Sequence, residues 1–258
     1  MPLSRFLQSS LFIALLSSLA LVNLANADSA QALSYELLNT YQHNSGNWTQ
    51  GLFFHEGILY EGTGQNGDSR LVRYRDDYEN PAYTRTLPAR YFGEGIAVHQ
   101  GLMYQLTWKS GTGFIYDPND LSRKGDFNYE GEGWGITSSG EDLWMSNGSI
   151  NLLKISPEGE VLQSLAVIFN GEPLDKWNEL EWINGKIFAN RWYDNHIYII
   201  DPESGEVTNY IDLSELAEPF QSDPNKVLNG VAWHAERQTL WITGKYWDEL
   251  YELKIQNL

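Results

Sequence analysis

The chain has 258 residues, a formal net charge of −17 at pH 7 and no cysteine. This negative charge argues against nucleic acid and anionic membrane surfaces as partners, because both repel an acidic protein. Without cysteine the protein has neither disulfide bonds nor thiolate groups that could ligate a metal or act as a nucleophile.

The first predicted element is a targeting segment. Residues 1–27 begin with a short basic region containing Arg5, continue through the apolar run LFIALLSSLALVNL and end on Ala25-Asn26-Ala27, which is typical of a secretory signal peptide and its cleavage site. A membrane anchor is the alternative, but the apolar run is short for crossing a bilayer. We therefore expect an exported protein, periplasmic or secreted and free of the membrane after cleavage, whose single mature domain covers residues 28–258.

Five similar phrases follow one another along the rest of the chain. In the first four, an apolar residue precedes an aromatic residue by eight positions, and in the fifth the spacing is two positions longer. The phrases are TQGLFFHEGILYEGTG (49–64), GEGIAVHQGLMYQLTW (93–108), GWGITSSGEDLWMSNG (133–148), NELEWINGKIFANRW (178–192) and LNGVAWHAERQTLWITGK (228–245). Self-similarity at a period of about 40–50 residues indicates a repeat architecture.

Each phrase predicts two strands joined by a tight hairpin, because apolar and polar residues alternate around turn signals such as His-Glu-Gly and Asn-Gly. A further alternating segment completes each repeat: RLVRYRDD, GFIYDPND, NLLKISPEG, HIYIIDPESG and ELYELKIQ. Five such repeats, with no helical stretch in the mature chain, predict an all-β five-bladed β-propeller. A β-sandwich is the alternative, but it gives no reason for such regular repeats.

The strand LSYELLNTYQH (33–43) precedes the first full repeat. We therefore expect strands from both ends of the chain to share one blade and close the ring. In a propeller the innermost strand of every blade runs along a central channel, so the residues just before these strands should meet at one mouth of the channel. Glycines at these points allow neighbouring backbones to approach closely.

Polar side chains occupy these convergent positions in several repeats. They are Gln50, Glu94, Glu132, Asn178, Glu179 and Asn229. Because the two Gly-Glu-Gly phrases come from one repeat, we expect Glu94 and Glu132 to occupy related places. Several convergent sets favour a functional site, although each residue alone could also bind backbone groups or structural water around the axis.

The same residues carry a resemblance to a known family. The segments WTQGL, LYEGTGQNGDSRL, RYFGEGIA, YQLTW, GEGWGIT, NELEWINGKIFANRW, LNGVAW and TGKYW resemble, in order and across almost the whole mature chain, the plant-type and bacterial glutaminyl cyclases, or glutamine cyclotransferases. The resemblance implies a five-bladed propeller that converts the N-terminal glutamine of peptides or proteins into pyroglutamate with release of ammonia, without a catalytic zinc ion. One departure is Trp48, which stands where the family usually has phenylalanine and could narrow the pocket.

Glu94 is the residue that we expect to transfer protons. The substrate's neutral α-amine must attack its own γ-amide carbonyl, and one acid/base group can take the proton from the amine and give it to the departing nitrogen. Glu94 lies between two glycines and behind Phe92, where partial desolvation would raise the pKa of its carboxyl. The resemblance implies the same role, because Glu94 matches the family's proposed proton-transfer residue. A structural role, binding backbone N–H groups, is the alternative.

Two further groups of residues complete the predicted site. Gln50, Asn178 and Lys245 match polar active-site positions of the family, and we expect them to hold the γ-amide and its developing negative charge; Lys245 could instead pair with an acidic neighbour. An aromatic box that excludes water and folds the glutamine side chain is predicted from Trp48, Phe92, Trp108, Trp134 and Trp192. For these aromatic residues, packing within the blades is the alternative.

No catalytic metal is expected. The five histidines have no common ligand spacing, so a histidine-bound zinc site is not predicted. Glu132, Glu179 and Glu181 would allow a structural calcium ion in the channel, since hard cations bind carboxylates. The sequence therefore predicts an exported, monomeric, metal-independent glutaminyl-peptide cyclotransferase. The alternative is a non-catalytic exported propeller that binds a peptide or small ligand in its central funnel.

Overall fold

The computed structural model describes residues 29–258, so the predicted signal peptide and its cleavage site lie outside the described residues. The described chain is nearly all β-structure. Two strands come first, β1 (Gln31–Ala32) and β2 (Tyr35–Gln42). Within residues 29–258 we find no helix with the length and apolar character that a membrane-spanning helix needs.

Five antiparallel sheets follow as blades. Blade 1 contains β3 to β6, at Thr49–His55, Ile58–Thr63, Arg70–Arg73 and Tyr83–Thr86. Blade 2 contains β7 to β10, at Gly93–His99, Leu102–Thr107, Thr112–Tyr116 and Arg123–Asn128. Blade 3 contains β11 to β14, at Ile136–Ser138, Leu143–Met145, Asn151–Ile155 and Val161–Ala166.

A small hairpin of β15 (Ile168–Phe169) and β16 (Glu172–Pro173) leads into blade 4. Blade 4 contains β17 to β20, at Trp177–Ile183, Lys186–Arg191, His196–Ile200 and Val207–Asp212. After a short helix, α1 (Ser214–Ala217), and a 3₁₀ turn (Glu218–Phe220), blade 5 contains β21 to β23, at Leu228–His234, Thr239–Gly244 and Glu249–Ile255. The predicted five-bladed propeller is confirmed, but the prediction of no helical stretch is wrong at α1.

The ring closes as the sequence predicted. β2, from the N-terminal side, pairs antiparallel with β23 and becomes the outer strand of blade 5. β1, which was not predicted, pairs in parallel with β20 and adds a fifth strand to blade 4. The N-terminal segment is therefore bound to two neighbouring blades.

The constant spacing in the repeats comes from the turns between the two inner strands. In blades 1, 2 and 4 these strands are joined by two residues that both have positive φ, as at Glu56-Gly57 (51° and 74°) and Asn184-Gly185 (49° and 81°). Such turns match the twist of a hairpin and leave no freedom in its length. In blade 3 the Ser139 N–H donates to the Asp142 carbonyl, so only two residues remain in the turn and the spacing stays at eight. In blade 5 four residues separate the last pair, His234 and Thr239, which explains the longer fifth spacing.

Apolar side chains pack between the blades. The buried residues form five clusters, and each cluster joins one pair of neighbouring blades, from Leu52 and Trp241 between blades 1 and 5 to Phe188 and Val231 between blades 4 and 5. Because the clusters complete a circle, the inner strands are held at fixed distances around the axis. This rigid frame positions the residues at the channel mouth.

Candidate active site

The inner strands approach each other most closely where they begin. A Cβ atom added to Gly95 would lie 2.8 Å from the Cα of Gly135, and one added to Gly135 would lie 2.0 Å from the backbone oxygen of Asn178. Real Cβ atoms do not make such contacts, so only glycine fits at these positions. The residue before each glycine then faces its counterparts from the other blades at the mouth of the channel.

One cavity of about 190 Å³ lies at this mouth. This volume is below the range of about 300–1,000 Å³ found for drug-sized ligands, and it fits a single amino-acid side chain better than a large molecule. Its lining residues are Trp48, Gln50, Gln65, Phe92, Glu94, Trp108, Trp134, Asn178, Trp192 and Lys245. The structure therefore brings together all nine residues that the sequence suggested for the site, although the roles assigned to them stay predictions.

Aromatic rings form most of the cavity wall. Phe92 and Trp108 meet edge to face, with ring centres 5.6 Å apart, and Trp134 and Trp192 do the same at 5.5 Å. Trp48 closes another side, and its indole nitrogen is buried without a hydrogen-bond partner within residues 29–258. Walls of this kind exclude water and lower the local dielectric, which strengthens electrostatic effects inside the cavity.

Glu94 is the carboxyl group inside this cavity. Glu94 is 3% exposed, and its carboxyl makes no hydrogen bond and no ion pair with any of the described residues. Burial raises the pKa of Glu94 well above its ordinary value; the positive charge of Lys245 opposes this rise and the negative charge of Glu132 adds to it. Glu94 can therefore hold a proton at a pH where an exposed glutamate cannot.

Glu179, the next buried carboxyl group along the axis, shows the contrast. One of its oxygens accepts a hydrogen bond from the Leu52 backbone N–H at 3.2 Å and the other accepts one from Val231 at 2.8 Å. Glu179 thus connects three blades by binding backbone groups, which is the structural role considered as the alternative for Glu94. The structure gives that kind of contact to Glu179 and leaves the Glu94 carboxyl without it.

Lys245 provides a positive charge beside Glu94. Lys245 is 4% exposed, and its ammonium nitrogen lies 5.1 Å from the centre of the Trp48 ring. Burial lowers the pKa of Lys245 to about 8, although the Glu94 charge acts in the opposite direction. A buried ammonium group with no close partner in the described chain is available to a developing negative charge on a ligand.

Two amide side chains provide polar groups opposite the aromatic walls. Asn229 donates a hydrogen bond to the Gln50 side-chain oxygen at 3.3 Å, which leaves the Gln50 NH₂ group as a donor for the cavity. The side-chain oxygen of Asn178 is buried and has no hydrogen-bond partner in the part of the chain that the structure describes. An unpartnered buried acceptor costs free energy, and an N–H group of a ligand would remove that cost.

Gln65 is a lining residue that the sequence reasoning missed. It lies in the loop after β4 and has a φ of 89°, and its backbone oxygen accepts hydrogen bonds from the backbone and hydroxyl of Ser69. The glycine-rich stretch GTGQNGDS marked a loop at the end of an inner hairpin, where cavity residues are expected. The position in this loop was the only signal for Gln65. The residue type gave no signal, because glutamine rarely adopts the positive φ that it has here.

The expectation of related places for the two Gly-Glu-Gly glutamates is wrong. Glu94 directly precedes Gly95 and Ile96, and the equivalent residue in blade 3 is Trp134, which directly precedes Gly135 and Ile136. Glu132 comes two residues earlier, in a loop at the rim of the cavity. The glycines, which are fixed by the close approach of the strands, set the alignment of the blades, and the glutamates do not.

The carboxylates considered for calcium are used elsewhere. Glu179 binds two backbone groups, one oxygen of Glu181 accepts a hydrogen bond from the Trp233 N–H at 3.0 Å, and Glu132 binds indole groups. Within residues 29–258 no three histidine, aspartate or glutamate side chains are grouped closely enough to hold a metal ion. The structural calcium stays a prediction.

Comparisons with known proteins point to one family. A family model described as glutamine cyclotransferase matches residues 10–255. The chain is 32% identical over 227 residues to a glutaminyl-peptide cyclotransferase of Arabidopsis thaliana, an alignment that covers 86% of this chain and 71% of that protein. The crystal structure of Myxococcus xanthus glutaminyl cyclase superposes with a TM-score of 0.83 and 31% identity, covering 88% of this chain and 99% of that one.

Proposed function

This chain belongs to the glutamine cyclotransferase family, and we propose that its cavity cyclises the N-terminal glutamine of peptides or proteins with Glu94 as the group that transfers protons. The observation that carries the proposal is the buried Glu94 carboxyl, which lies in an aromatic cavity and has no hydrogen-bond partner in the described chain. A carboxyl group of this kind can both accept and donate a proton.

The size and lining of the cavity support binding of one glutamine side chain. The aromatic walls hold it folded, so that its α-amine lies against its own γ-amide carbon; such proximity can replace several kcal/mol of entropic cost. The unpartnered Asn178 oxygen accepts a hydrogen bond from the γ-amide NH₂ group, and the Gln50 NH₂ group and Lys245 ammonium face the γ-carbonyl oxygen. The rest of the peptide extends out of the mouth.

The α-ammonium nitrogen must lose two protons during the reaction, and the amide nitrogen must gain one before the bond to it breaks. Glu94 first takes a proton from the substrate's α-ammonium group, and the neutral amine attacks the γ-carbonyl carbon to form a C–N bond. Lys245 and Gln50 stabilise the oxyanion of the tetrahedral intermediate. The protonated Glu94 then gives its proton to the amide nitrogen, the bond from carbon to that nitrogen breaks and ammonia is released. Glu94 takes the remaining proton from the ring nitrogen of pyroglutamate and passes it to the ammonia, which leaves as ammonium and restores the carboxylate.

A turnover assay tests this function. The mature protein is incubated with a peptide that begins with glutamine, and ammonia release and the matching loss of peptide mass are measured. We expect both signals in equal amounts, and neither with the N-acetylated form of the same peptide, because that form has no free amine. Binding of the peptide without turnover at any pH from about 5 to 9, the range in which a shifted carboxyl group or an α-amine titrates, would instead identify a binding protein.

Metal removal is the second test. We propose that catalysis needs no metal, because Glu94, Gln50, Asn178 and Lys245 supply the acid, base and oxyanion groups without one. Exhaustive chelation should leave kcat within about two-fold of its original value, since general acid–base and electrostatic catalysis account for the chemistry. A lower melting temperature after chelation, restored by calcium, would support a structural calcium ion. Lost turnover in a still folded protein, restored by zinc, would contradict the mechanism.

Export, a monomeric state and N-terminal glutaminyl peptides as natural partners belong to the same proposal. The signal-like sequence of residues 1–27 supports export, and the single-residue size of the cavity supports glutaminyl peptides as partners. Fractionation of the producing cell and sedimentation of the purified protein measure the first two directly.

A further inference from the structure

Glu132 links the two sides of the aromatic wall. One of its carboxylate oxygens accepts hydrogen bonds from the indole N–H groups of both Trp108, at 2.7 Å, and Trp134, at 2.9 Å. The other oxygen lies 3.6 Å from the ammonium group of Lys109, which is also placed 3.8 Å from the centre of the Trp108 ring. The Glu132 side chain is 37% exposed, so it contacts the substrate cavity only through the two indoles.

The two indoles need such a support. Trp108 follows the end of β8 and Trp134 precedes β11, so neither ring is fixed by being part of a strand. Trp108 packs against Phe92, and Trp134 packs against Trp192. Four of the five predicted aromatic wall residues therefore depend, directly or through a neighbour, on one carboxylate oxygen.

Resting on the proposed function, we propose that Glu132 is a positioning residue that fixes the aromatic walls around the substrate's glutamine side chain. It touches no reacting atom. Hydrogen bonds to a charged acceptor are about twice as strong as neutral ones, so a carboxylate holds two indoles more firmly than an amide or a water molecule would. Fixed walls keep the α-amine and the γ-amide in the geometry that the cyclisation needs.

Three variants separate the possible roles. Glu132→Ala removes the acceptor, Glu132→Gln keeps an acceptor oxygen and loses the charge, and Glu130→Ala is a matched control because the Glu130 side chain is exposed and lies two residues away. For Glu132→Ala we expect kcat/KM to fall about 10- to 100-fold through both constants. Loosened walls bind the glutamine side chain less well, which raises KM, and they misplace the α-amine, which lowers kcat. Glu132→Gln should recover most of the loss in KM.

The charge of Glu132 gives a second readout. The titratable groups that interact electrostatically with Glu94 are Lys245, Glu132 and Tyr129. Among them, the negative charge of Glu132 raises the pKa of Glu94. Glu132→Gln should therefore shift the acid limb of the kcat profile to lower pH, while Glu130→Ala leaves it unchanged. This limb reports the charge of Glu132 beside Glu94, whereas KM and the indole signals report the positioning of the walls.

Indole resonances report the contact without turnover. In ¹H–¹⁵N spectra, two indole N–H signals, assigned by Trp108→Phe and Trp134→Phe, should move in Glu132→Ala and stay in place in Glu130→Ala. If wild type cyclises the peptide but Glu132→Ala has wild-type KM, pH profile and indole signals, the positioning role is wrong and the proposed function stands. A loss of activity in Glu132→Ala that only follows a lowered melting temperature also contradicts positioning. Absence of turnover in wild type itself contradicts the proposed function.

Discussion

Replacing Glu94 with glutamine should lower kcat by about 10²- to 10⁴-fold, the usual contribution of general acid–base catalysis, and should change KM by only a few-fold. Glutamine keeps the size of the side chain and its capacity for hydrogen bonds, but it cannot carry the proton from the amine to the departing nitrogen. Steady-state kinetics with a glutamine-initiated peptide measure both constants. The fold should be intact, because the Glu94 carboxyl makes no hydrogen bond in the described chain that the change could break.

The pH profile of the wild type should be bell-shaped. The reactive state holds one proton between the Glu94 carboxyl and the substrate's α-amine. At low pH both groups are protonated and the amine cannot attack; at high pH neither holds a proton and the departing nitrogen receives none. Because burial raises the pKa of Glu94, the acid limb should lie above the range of an exposed glutamate. In Glu94→Gln only the titration of the amine remains, near its ordinary pKa of about 8.

Glu130→Gln is the control for Glu94→Gln. It makes the same chemical change at an exposed carboxyl group in the adjoining segment, and kcat should stay within about two-fold of wild type, as for most surface substitutions. Turnover by Glu94→Gln at a rate near that of wild type would show that another group transfers the proton. A kcat loss accompanied by a collapsed melting temperature in Glu94→Gln would show that Glu94 is part of the scaffold.

Most of the propeller scaffold could be predicted from the sequence, because hairpin turns and closely packed strands require particular residues at particular positions. Two-residue turns fix the spacing of eight positions in the repeats, and glycines such as Gly135 mark where the strands approach too closely for a side chain. Once the blades are aligned by these features, residues far apart in sequence must meet at one mouth. The convergence of Gln50, Glu94 and Asn178 could therefore be expected before any coordinates.

What the sequence did not show depends on side-chain orientation. The Gly-Glu-Gly pattern suggested equivalent roles for Glu94 and Glu132, but the two-residue offset places one inside the cavity and the other at its rim. Likewise, nothing in the alternation of β4 indicated that Glu61 is fully buried, since a carboxylate in a strand normally faces solvent. Such contacts join residues whose separation in sequence has no period.

Glu61 lies at the seam where the ring closes. Its carboxylate is 0% exposed and accepts hydrogen bonds from the side chains around it. These donors are Asn47 at 2.6 Å, Tyr74 at 2.6 Å, Thr49 at 2.7 Å and a ring nitrogen of His43 at 3.1 Å. His43 follows β2, the strand that closes blade 5, and Glu61 belongs to blade 1, so the contact connects the two ends of the ring.

The two shortest contacts of His43 favour its positively charged form. Its Nε2 faces the Glu61 carboxylate and its Nδ1 lies 3.0 Å from the backbone oxygen of Trp247, and both of these partners are acceptors only. A neutral imidazole has one N–H and would leave one contact unsatisfied. Burial has the largest single effect and would lower the pKa of His43. The charge and hydrogen bond of Glu61, the Trp247 carbonyl and the Asp248 charge together outweigh it, so this pKa is raised above 6.5. Conversely, burial would raise the pKa of Glu61, but His43 holds it below 4.5.

Glu61→Gln should lower the free energy of unfolding by about 3–5 kcal/mol near pH 6, because it leaves the imidazolium of His43 buried without its counter-charge. Chemical denaturation monitored by tryptophan fluorescence measures the loss. The control is Asp126→Asn, which breaks an exposed ion pair with Arg123. The Arg123 side chain is 42% exposed and the Asp126 side chain is 57% exposed, so the cost should be about 0–1 kcal/mol. Equal costs for the two variants would contradict the special position of the buried pair.

The pH dependence gives the sharper test, because wild type and Glu61→Gln should differ in sign. In wild type the raised pKa of His43 makes its stabilising contribution complete below pH 6.5 and lost as the pH rises through the folded-state value. The lowered pKa of Glu61 makes its contribution present above pH 4.5 and lost as the pH falls through the folded-state value. In Glu61→Gln, burial is opposed only by the Trp247 carbonyl and the Asp248 charge. Because burial is the largest influence, we expect the pKa of His43 to fall below 6.5, and the variant should become more stable as the pH rises through 6.5. The stability gap between the two proteins should therefore narrow at alkaline pH. A gap that stays constant from pH 5 to about 9, across the titration range of histidine, would mean that His43 is neutral in the folded protein.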